Sequence, residues 1–208
     1  MMKGMKNNIP IYLFLALIPL IIWSGVNPYD RFTWWLEAVP VLIALPILWF
    51  TYKRFLLTDL TYFLLFLHAT ILLVGAHYTY AMVPLGDWLK DGLDLSRNHY
   101  DRLGHLAQGF VPAILARELL IRTSPLRPGK WLFAIVVLSC LGISAIYELI
   151  EWAAAAGTGE AADAFLGSQG DVWDTQKDMA MALIGAILAQ ITLSHTHDKQ
   201  LKAHLPAA

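Results

Sequence analysis

The sequence predicts an all-α fold, a polytopic integral membrane helical bundle with about six transmembrane helices. Of its 208 residues, 57% are hydrophobic and 15% are charged, whereas soluble domains average about 45–50% apolar and about 25% charged residues. The apolar residues fall into long runs, close to the roughly 20 residues that a bilayer-spanning helix needs. The formal net charge of -1 gives no indication of a nucleic-acid partner, and the single cysteine, Cys140, excludes a disulfide framework.

Six segments have the length and hydropathy of membrane helices. They are Ile9–Val26, Trp35–Tyr52, Leu60–Val83, Leu103–Ile121, Trp131–Ala153 and Asp178–Leu193. We interpret the first segment as an uncleaved anchor, because the residues around Gly25 make a poor signal-peptidase site. Residues 1–208 are predicted to form a single membrane domain. Its parts are three N-terminal helices in 9–83, a polar three-helix core in 100–193 and a cytoplasmic tail in 194–208.

The distribution of Lys and Arg predicts that both termini are cytoplasmic, because cytoplasmic loops carry an excess of basic residues. With the N-terminus inside, the inner segments carry Lys3, Lys6, Lys53, Arg54, Arg122, Arg127, Lys130, Lys199 and Lys202. The outer segments carry fewer: Arg31, Lys90, Arg97, Arg102 and Lys177. Two long loops then lie outside. The first, 84–102, is expected to form a solvated or interfacial helix, and the second, 154–177, to fold over the protein or dip into it.

A set of ionisable residues lies at, or just inside, the ends of segments that point to this outer face. They are His77, His99, Asp101, His105, Glu148, Glu151, Asp171, Asp174 and Asp178. A charged side chain at membrane depth costs roughly 2.5–3.5 kcal/mol on insertion scales, so such residues usually have a function. These residues are therefore the predicted functional site.

Two of the segments carry polar pairs at helical spacing. Asp101 and His105 are i, i+4 neighbours, so the acid is expected to orient the imidazole and leave its other nitrogen as a base, an acid or a ligand. Glu148 and Glu151 are i, i+3 neighbours near the end of the fifth helix. Structural roles stay open for both pairs: Asp101 as a helix N-terminal acid beside a core histidine, and Glu151 as an interfacial carboxylate.

The stretch 169–178 places three carboxylates on one helical stripe. Asp171, Asp174 and Asp178 follow the spacing i, i+3, i+7 and lead into the last apolar run. Charges this close repel one another, so they need a cation, a shared proton or basic partners such as Arg102. Capping of a helix N-terminus would explain Asp171 or Asp174 but not Asp178 as well.

Other polar residues are assigned structural roles. His68 lies nearer to mid-membrane and is expected to hydrogen-bond between helices. Arg117 is expected to snorkel, and Glu118 to cap or pair. The histidines of the tail, His197 among them, are expected to be solvated. Close approach among the last three helices is predicted by Gly104, Gly109, Gly142 and Gly185.

In the order of its motifs the sequence resembles the YjdF-like bacterial inner-membrane proteins, a family without an established function. The resemblance rests on Asn-His-Tyr-Asp-Arg at 98–102, Tyr-Glu-Leu-Ile-Glu-Trp at 147–152 and Gly-Asp-Val-Trp-Asp-Thr-Gln-Lys-Asp-Met at 170–179. It implies a multi-pass protein of the bacterial cytoplasmic membrane.

Across about residues 101–190 the sequence is also similar, more distantly, to VanZ-like membrane proteins. Their Asp-Lys-x-x-His and Glu-x-x-Gln patterns match at 101–105 and 148–151, with Arg and Glu in place of Lys and Gln. Their Asp-x-x-x-Asn-x-x-Gly pattern matches at 178–185, where Ala182 replaces the Asn. The residues that this resemblance singles out are Asp101, His105, Glu148 and Asp178. It implies an envelope-facing enzyme acting on lipids or lipid-linked intermediates.

Together these features predict an enzyme that hydrolyses or transfers a phosphoester of a phospholipid or lipid-linked headgroup at the outer face. His105 is the expected nucleophile or general base, and Asp101 orients it. Glu148 and Asp178 are expected to supply acid–base help. Arg102 is the expected contact of the substrate phosphate.

A divalent cation such as Mg²⁺ is the expected cofactor, held by Glu151, Asp171 and Asp174, with His77 and His99 as neighbours. The expected partners are membrane lipids or lipid-linked intermediates. The alternative is a proton- or cation-coupled transporter that uses the same carboxylates as a relay. A non-catalytic structural membrane protein stays open as well.

Overall fold

The computed structural model describes residues 8–158 and 168–204 of the chain. Within these residues it contains seven α-helices, one 3-10 turn and no strand, so the all-α prediction is confirmed. The helices are α1 (Ile9–Gly25), α2 (Arg31–Thr51), α3 (Asp59–Tyr78), α4 (Pro84–Gly92), α5 (Tyr100–Thr123), α6 (Lys130–Thr158) and α7 (Asp174–Leu201). The 3-10 turn, Tyr80–Met82, separates α3 from α4.

Four of these helices, α2, α3, α6 and α7, are long and apolar enough to cross a membrane, and α1 is a shorter apolar helix of 17 residues. The protein is therefore a membrane helical bundle, while the count of six spans and the cytoplasmic termini stay predictions. The exception among the long helices is α5, which carries several charges along its 24 residues. It packs against α3, α6 and α7. Charged residues are compatible with a membrane interior where they face protein rather than lipid.

The tightest packing in the described chain joins α5 to α7. A Cβ atom on Gly109 would lie 1.8 Å from the Ala182 carbonyl oxygen, and one on Gly185 would lie 2.1 Å from the Leu106 carbonyl oxygen. Only glycine permits backbones this close, as in small-residue packing of membrane helices. The predicted close approach is confirmed at these two glycines. It is wrong at Gly142 of α6, where an added Cβ would meet open space.

A buried polar group joins α3, α5 and α7 at the end of the bundle where α3 begins. The Glu118 carboxylate accepts hydrogen bonds from the backbone N–H and the hydroxyl of Thr58, at 3.0 and 2.9 Å. It also accepts from the Thr61 hydroxyl and from Arg122, both at 2.7 Å. His197 Nε2 lies 3.2 Å from the same carboxylate. We call these five residues the Glu118 cluster; it confirms that Glu118 is paired.

The tautomer of His197 follows from its neighbours. Arg117 Nη1 lies 3.1 Å from His197 Nδ1. Because a guanidinium can only donate, Nδ1 is an acceptor and Nε2–H donates to Glu118. His197 is fully buried, and Arg117 is buried in an ion pair with Asp198 at 2.7 Å. The expectations of a solvated His197 and a snorkelling Arg117 are wrong, because α7 continues through the start of the predicted tail to Leu201.

Two hydrophobic clusters divide the bundle into halves. Buried residues of α1, α2 and α3, such as Trp34 and Leu73, form one cluster. Buried residues of α3, α5, α6 and α7, such as Ile114 and Cys140, form the other. Cys140 is a fully buried small apolar residue, consistent with a packing role. α3 contributes to both clusters and thereby joins the N-terminal half (α1–α3) to the C-terminal half (α5–α7).

The two long loops, one before α5 and one between α6 and α7, differ in how far the structure describes them. The predicted helix within residues 84–102 is confirmed as α4, which leaves Trp88 exposed. In the second loop α6 continues to Thr158. Residues 159–167, the middle of the segment predicted to fold over or dip into the protein, lie outside the described residues.

Candidate functional site

Four of the predicted site residues meet at one end of the bundle, where α5 and α7 begin and α6 approaches its end. They are Asp101 and His105 on α5, Glu148 on α6 and Asp178 on α7, and all four are buried. We call these residues the inner group and this end of the bundle the site end. Three helices thus each supply part of one polar group.

Asp101 and His105 lie one turn apart on α5, as their spacing predicts. His105 Nε2 is 3.7 Å from Asp101 Oδ1 and 3.4 Å from Glu148 Oε1. The other ring nitrogen, Nδ1, lies 3.5 Å from the hydroxyl of Ser144, one turn before Glu148 on α6. Nε2 therefore faces carboxylates, while the Ser144 hydroxyl holds the opposite edge of the ring.

Asp178 completes the inner group because the glycine-mediated crossing brings α7 against α5. One ring nitrogen or carboxylate oxygen from each of Asp101, His105 and Asp178 lies within 4.8 Å of the other two. Asp178 Oδ1 and Glu148 Oε1 are buried and make no hydrogen bond to the described residues. A buried polar atom without a partner is costly, so stability does not explain this arrangement.

Asp171 and Asp174 belong to a separate group of ion pairs at the site end, which we call the outer network. Arg102 Nη2 lies 2.6 Å from Asp171 Oδ2 and 3.7 Å from Asp174 Oδ1. Lys177 Nζ lies 2.6 Å from Asp171 Oδ2. Arg97 forms a short ion pair with Asp174 and lies 3.7 Å from Asp171. Three protein cations therefore relieve the repulsion between these two carboxylates.

The three acids predicted to share a metal ion are placed in different surroundings. Asp171 and Asp174 are held by guanidinium and ammonium groups, whereas Glu151 is buried on α6 and interacts electrostatically with Glu148. The predicted phosphate contact, Arg102, is engaged with Asp171. The structure thus brings the four predicted catalytic residues together. Two of the predicted metal ligands, Asp171 and Asp174, form ion pairs with arginine instead.

The outer network shifts the pKa values of two of its solvent-facing members. Hydrogen bonds, first from the Lys177 ammonium and then from the Trp173 backbone N–H and Arg102, lower the pKa of Asp171 to about 2. Partial desolvation, followed by the positive charge of Arg102, lowers the pKa of His99. Since Arg102 donates to His99 Nδ1 at 3.0 Å, this histidine is an uncharged acceptor within the network.

Asn98 fixes the loop that leads into α5. Its side-chain amide donates to the Val83 carbonyl at 3.0 Å and to Asp87 Oδ1 at 3.1 Å. Its backbone N–H donates to the Gln169 side chain, which donates back to the Asn98 carbonyl. A Cβ on Gly86 would lie 1.8 Å from Asn98 Oδ1, so this contact requires glycine. The start of α5 is thereby tied both to α4 and to the segment that precedes α7.

His77 lies apart from the inner group. Its ring stacks on Trp23, with centroids 4.3 Å apart, and its Nδ1 lies 3.1 Å from the Ser24 carbonyl oxygen. These contacts join the end of α3 to the end of α1. Its placement gives His77 a packing role.

A cavity of about 980 Å³ extends from the inner group into the N-terminal half. Asp101, His105 and Glu151 line its polar end, and its walls are mainly apolar side chains of α1, α2 and α3. Lys53 and Arg54 line the opposite end, so the cavity runs along most of the length of α2.

The comparisons with known proteins agree with this architecture. The chain matches the model of a family described as predicted membrane protein (DUF2238) over residues 9–199. The chain belongs to this family. It is 50% identical over 188 residues to the inner membrane protein YjdF of Escherichia coli strain K12, which covers 90% of each chain. No solved structure matches it. The YjdF-like resemblance is confirmed, whereas the VanZ-like resemblance is not shown by these comparisons.

Glu37 is the main residue at the site end that was not predicted from the sequence. It lies on α2, is 1% exposed, lines the cavity and interacts electrostatically with Asp101. Its signal was present, since Glu37 is the one acid of the apolar segment 35–52 and an intramembrane acid is costly. Arg97 was missed as the partner of Asp174, because the sequence treats it as an ordinary loop charge.

The inner group has the chemistry to move protons and to bind a cation. An imidazole with one nitrogen facing carboxylates can exchange a proton with them. The same nitrogen and carboxylate oxygens are also common ligands of divalent metals. Because the group borders an apolar cavity, a ligand with a long apolar part could place its polar end beside His105.

Proposed function

We propose that this membrane protein is an enzyme that acts on the headgroup of a phospholipid or a lipid-linked envelope intermediate. The observation that carries the proposal is the position of the inner group at the polar end of a mainly apolar cavity. A cavity of this volume between membrane helices suits an acyl or polyprenyl chain, with the headgroup fixed by a few polar side chains. The headgroup would then lie beside Asp101 and His105.

The reaction is hydrolysis or transfer at a phosphoester. In hydrolysis, water attacks phosphorus and the bond from phosphorus to the leaving oxygen breaks. A phosphodiester then gives a phosphate monoester and an alcohol, and a phosphate monoester gives inorganic phosphate and an alcohol. His105 takes the proton of the attacking water. The acid form of Glu148 or Asp178 gives a proton to the leaving oxygen. In transfer, the hydroxyl of an acceptor replaces water.

Arg102 is the proposed contact for the substrate phosphate. Its guanidinium holds Asp171 through Nη2, its side chain is 18% exposed, and its Nε makes no hydrogen bond to the described residues. A guanidinium binds phosphate oxygens well because its N–H groups form a planar fork. Arg102 would therefore share its donors between Asp171 and the phosphate.

The test in cells compares lipids and lipid-linked precursors between a strain lacking the protein and strains complemented with wild type or with His105→Ala. One precursor should accumulate in the first strain and in the His105→Ala strain, because both lack the proposed base. The matched control is His195→Ala, which removes an exposed histidine of α7 and should restore the wild-type profile. Identical profiles in all strains would overturn the proposal.

The test in vitro incubates purified protein with a total lipid extract of the host and follows products by mass spectrometry. A headgroup product should form with wild type and fall to background with His105→Ala. Folding of the variant is checked by its helical circular dichroism and its elution volume. A well-folded His105→Ala variant with full turnover would assign the chemistry to other residues.

The second candidate function, a proton- or cation-coupled transporter, is favoured by one further observation. Glu37 and His68 line the same cavity as Asp101, so titratable groups continue from the site end towards the middle of the bundle. Series of such groups form proton relays in membrane transporters. In proteoliposomes with a pH gradient, transport predicts a proton flux that Glu37→Gln abolishes. An enzyme of the proposed kind gives no such flux.

A further inference from the structure

We infer that the inner group binds one divalent transition-metal ion, of the Zn²⁺ or Mn²⁺ kind, through Asp101, His105 and Asp178. This metal site lies where the proposed function lies and sharpens it. Metal binding is nevertheless measurable whether or not the protein turns over a lipid. The ligand set differs from the Mg²⁺ set predicted from the sequence, since only the structure shows which carboxylates lie around His105.

The distances suit a metal site before it is loaded. Ligand atoms about 2.0–2.2 Å from one ion lie about 3.0–3.5 Å from each other. His105 Nε2 is 3.7 Å from Asp101 Oδ1, and the nearest atoms of Asp101, His105 and Asp178 all lie within 4.8 Å of one another. Rotation of the side chains is enough to close the set, because the three residues already project from two tightly packed helices.

A bound cation would also balance the charges of the inner group. Asp101, Glu148 and Asp178 are three buried carboxylates around a single imidazole. The Lys and Arg side chains of the outer network form ion pairs with Asp171 and Asp174, and the ion pairs of the described residues join no Lys or Arg to the three inner carboxylates. Buried carboxylates of this kind are stable when they coordinate a metal.

Two buried oxygen atoms give independent support. Asp178, 2% exposed, and Glu148, 7% exposed, each keep one oxygen without a hydrogen bond to the described residues, Oδ1 and Oε1 respectively. Glu148 Oε1 lies 3.4 Å from His105 Nε2, the atom that would bind the metal. A metal at this position would satisfy Asp178 Oδ1 directly and lie close to Glu148.

The donor types select the class of metal. Mg²⁺ is usually bound by carboxylates and water, whereas an imidazole together with carboxylates suits Zn²⁺ and Mn²⁺. The Ser144 hydroxyl next to His105 Nδ1 is the kind of contact that orients a metal-binding histidine. With a metal on Nε2, His105 is a ligand and not a base, so Glu148 becomes the residue in reach to take a proton.

The test begins with the full-length protein in detergent, stripped of metal with a chelator and dialysed against ZnCl₂ or MnCl₂. Metal is then quantified by mass spectrometry. Wild type should hold one ion per chain. His105→Ala and Asp178→Asn should hold none at the same free metal concentration, and Asp171→Asn, which alters the outer network, should still hold one. Ser144→Ala should weaken binding by about 10–100-fold, as is typical of outer contacts to a metal-binding histidine.

Co²⁺ substitution guards against variants that fail to fold. The visible absorption of bound Co²⁺ reports its ligands, so wild type should give bands that Asp178→Asn loses while it keeps its helical circular dichroism. Wild type without stoichiometric metal, or unchanged binding in folded His105→Ala and Asp178→Asn, would overturn the inference.

Failure of the metal site and failure of the proposed function have different signatures. A lipid product formed by wild-type protein that holds no stoichiometric metal overturns the metal inference alone. One ion per chain in a protein whose absence leaves all lipid profiles unchanged overturns the lipid enzyme alone.

Discussion

Two buried polar groups on the same helix, α5, are built in opposite ways. In the Glu118 cluster, the carboxylate receives hydrogen bonds from Thr58, Thr61, Arg122 and His197. In the inner group, by contrast, three carboxylates surround one histidine, and two of their oxygens have no hydrogen-bond partner among the described residues. A fully satisfied polar network makes a fold rigid, whereas an unsatisfied one carries a cost and marks a candidate functional site.

The difference shows which buried charges to treat as structural. Glu118 and Asp178 are both almost inaccessible to solvent, so burial alone does not separate them. Their partners do: hydroxyl and guanidinium donors surround Glu118, while acids and an imidazole surround Asp178. The contrast also yields predictions about stability.

The largest expected effect is that of Glu118→Gln. The amide keeps the shape of the side chain but leaves Arg122 without its carboxylate and gives the two threonines a poorer acceptor. Breaking a buried ion pair costs about 3–5 kcal/mol, so the thermal midpoint of the detergent-solubilised protein should fall strongly. An unchanged midpoint would mean that the Glu118 cluster contributes little to the fold and would break the comparison.

A smaller effect is expected at the helix crossing between the two groups. Gly109→Ala places a methyl group against the Ala182 carbonyl, and overpacking of this kind costs about 1–3 kcal/mol. The matched control is Gly142→Ala on α6, which meets open space and should stabilise the helix by about 0.5–1 kcal/mol. Thermal unfolding of both variants measures the difference. Equal midpoints would show that α5 and α7 can move apart at low cost.

Two aspartates one turn apart on α7 sharpen the comparison further. Asp174→Asn removes an ion pair with Arg97 and should destabilise by about 1–3 kcal/mol. Asp178→Asn removes a carboxylate with an unpaired oxygen and should leave stability unchanged or raise it slightly. Chemical denaturation of the metal-free proteins gives both values. Destabilisation by Asp178→Asn equal to that by Asp174→Asn would place the inner group among the structural ones.

The smallest effect is the pH dependence of the outer network. The pKa of Asp171 is lowered to about 2 from an ordinary value near 3.8. Its stabilising contribution is therefore complete above pH 3.8 and is lost as the pH falls towards 2. The fluorescence of Trp173, in a variant whose other tryptophans are replaced by Phe, should follow this loss, because the Trp173 backbone N–H donates to Asp171. Lys177→Ala should move the midpoint upwards, and an unmoved midpoint would exclude Lys177 as the main cause.

The sequence was sufficient to place the inner group, and the reason is geometric. Asp101 and His105 share a helix face by their spacing, and the order of the apolar runs brings the start of α5, the end of α6 and the start of α7 to one end. The residues that surround the inner group were harder to predict from the sequence. The pairing of Arg97 with Asp174 depends on how a loop folds back, and the proximity of Glu37 depends on how the N-terminal half docks. Both are tertiary contacts, which the spacing of residues along one helix does not predict.

The predictions for His197 and Gly142 were wrong for other reasons. The polar residues after Leu193 look like a solvated tail, yet α7 continues and buries His197 beside Glu118. A glycine in an apolar helix predicts close packing only on the face that meets a neighbour, and Gly142 lies on another face. In both cases the missing information was which side of a helix touches protein.

Hydrogen bonds join the N-terminal half to the C-terminal half near both ends of the contact between α3 and α5. Thr58, the residue before α3, donates a hydrogen bond to Glu118 on α5, and the Tyr100 hydroxyl of α5 donates to the Ile71 carbonyl of α3 at 3.0 Å. Under the proposed function, a hydrocarbon chain would enter a cavity of about 980 Å³ that already exists between these helices. Little conformational entropy is then lost by the protein on association. Affinity should depend chiefly on the apolar length of the guest, with the negative heat-capacity change that accompanies burial of hydrocarbon.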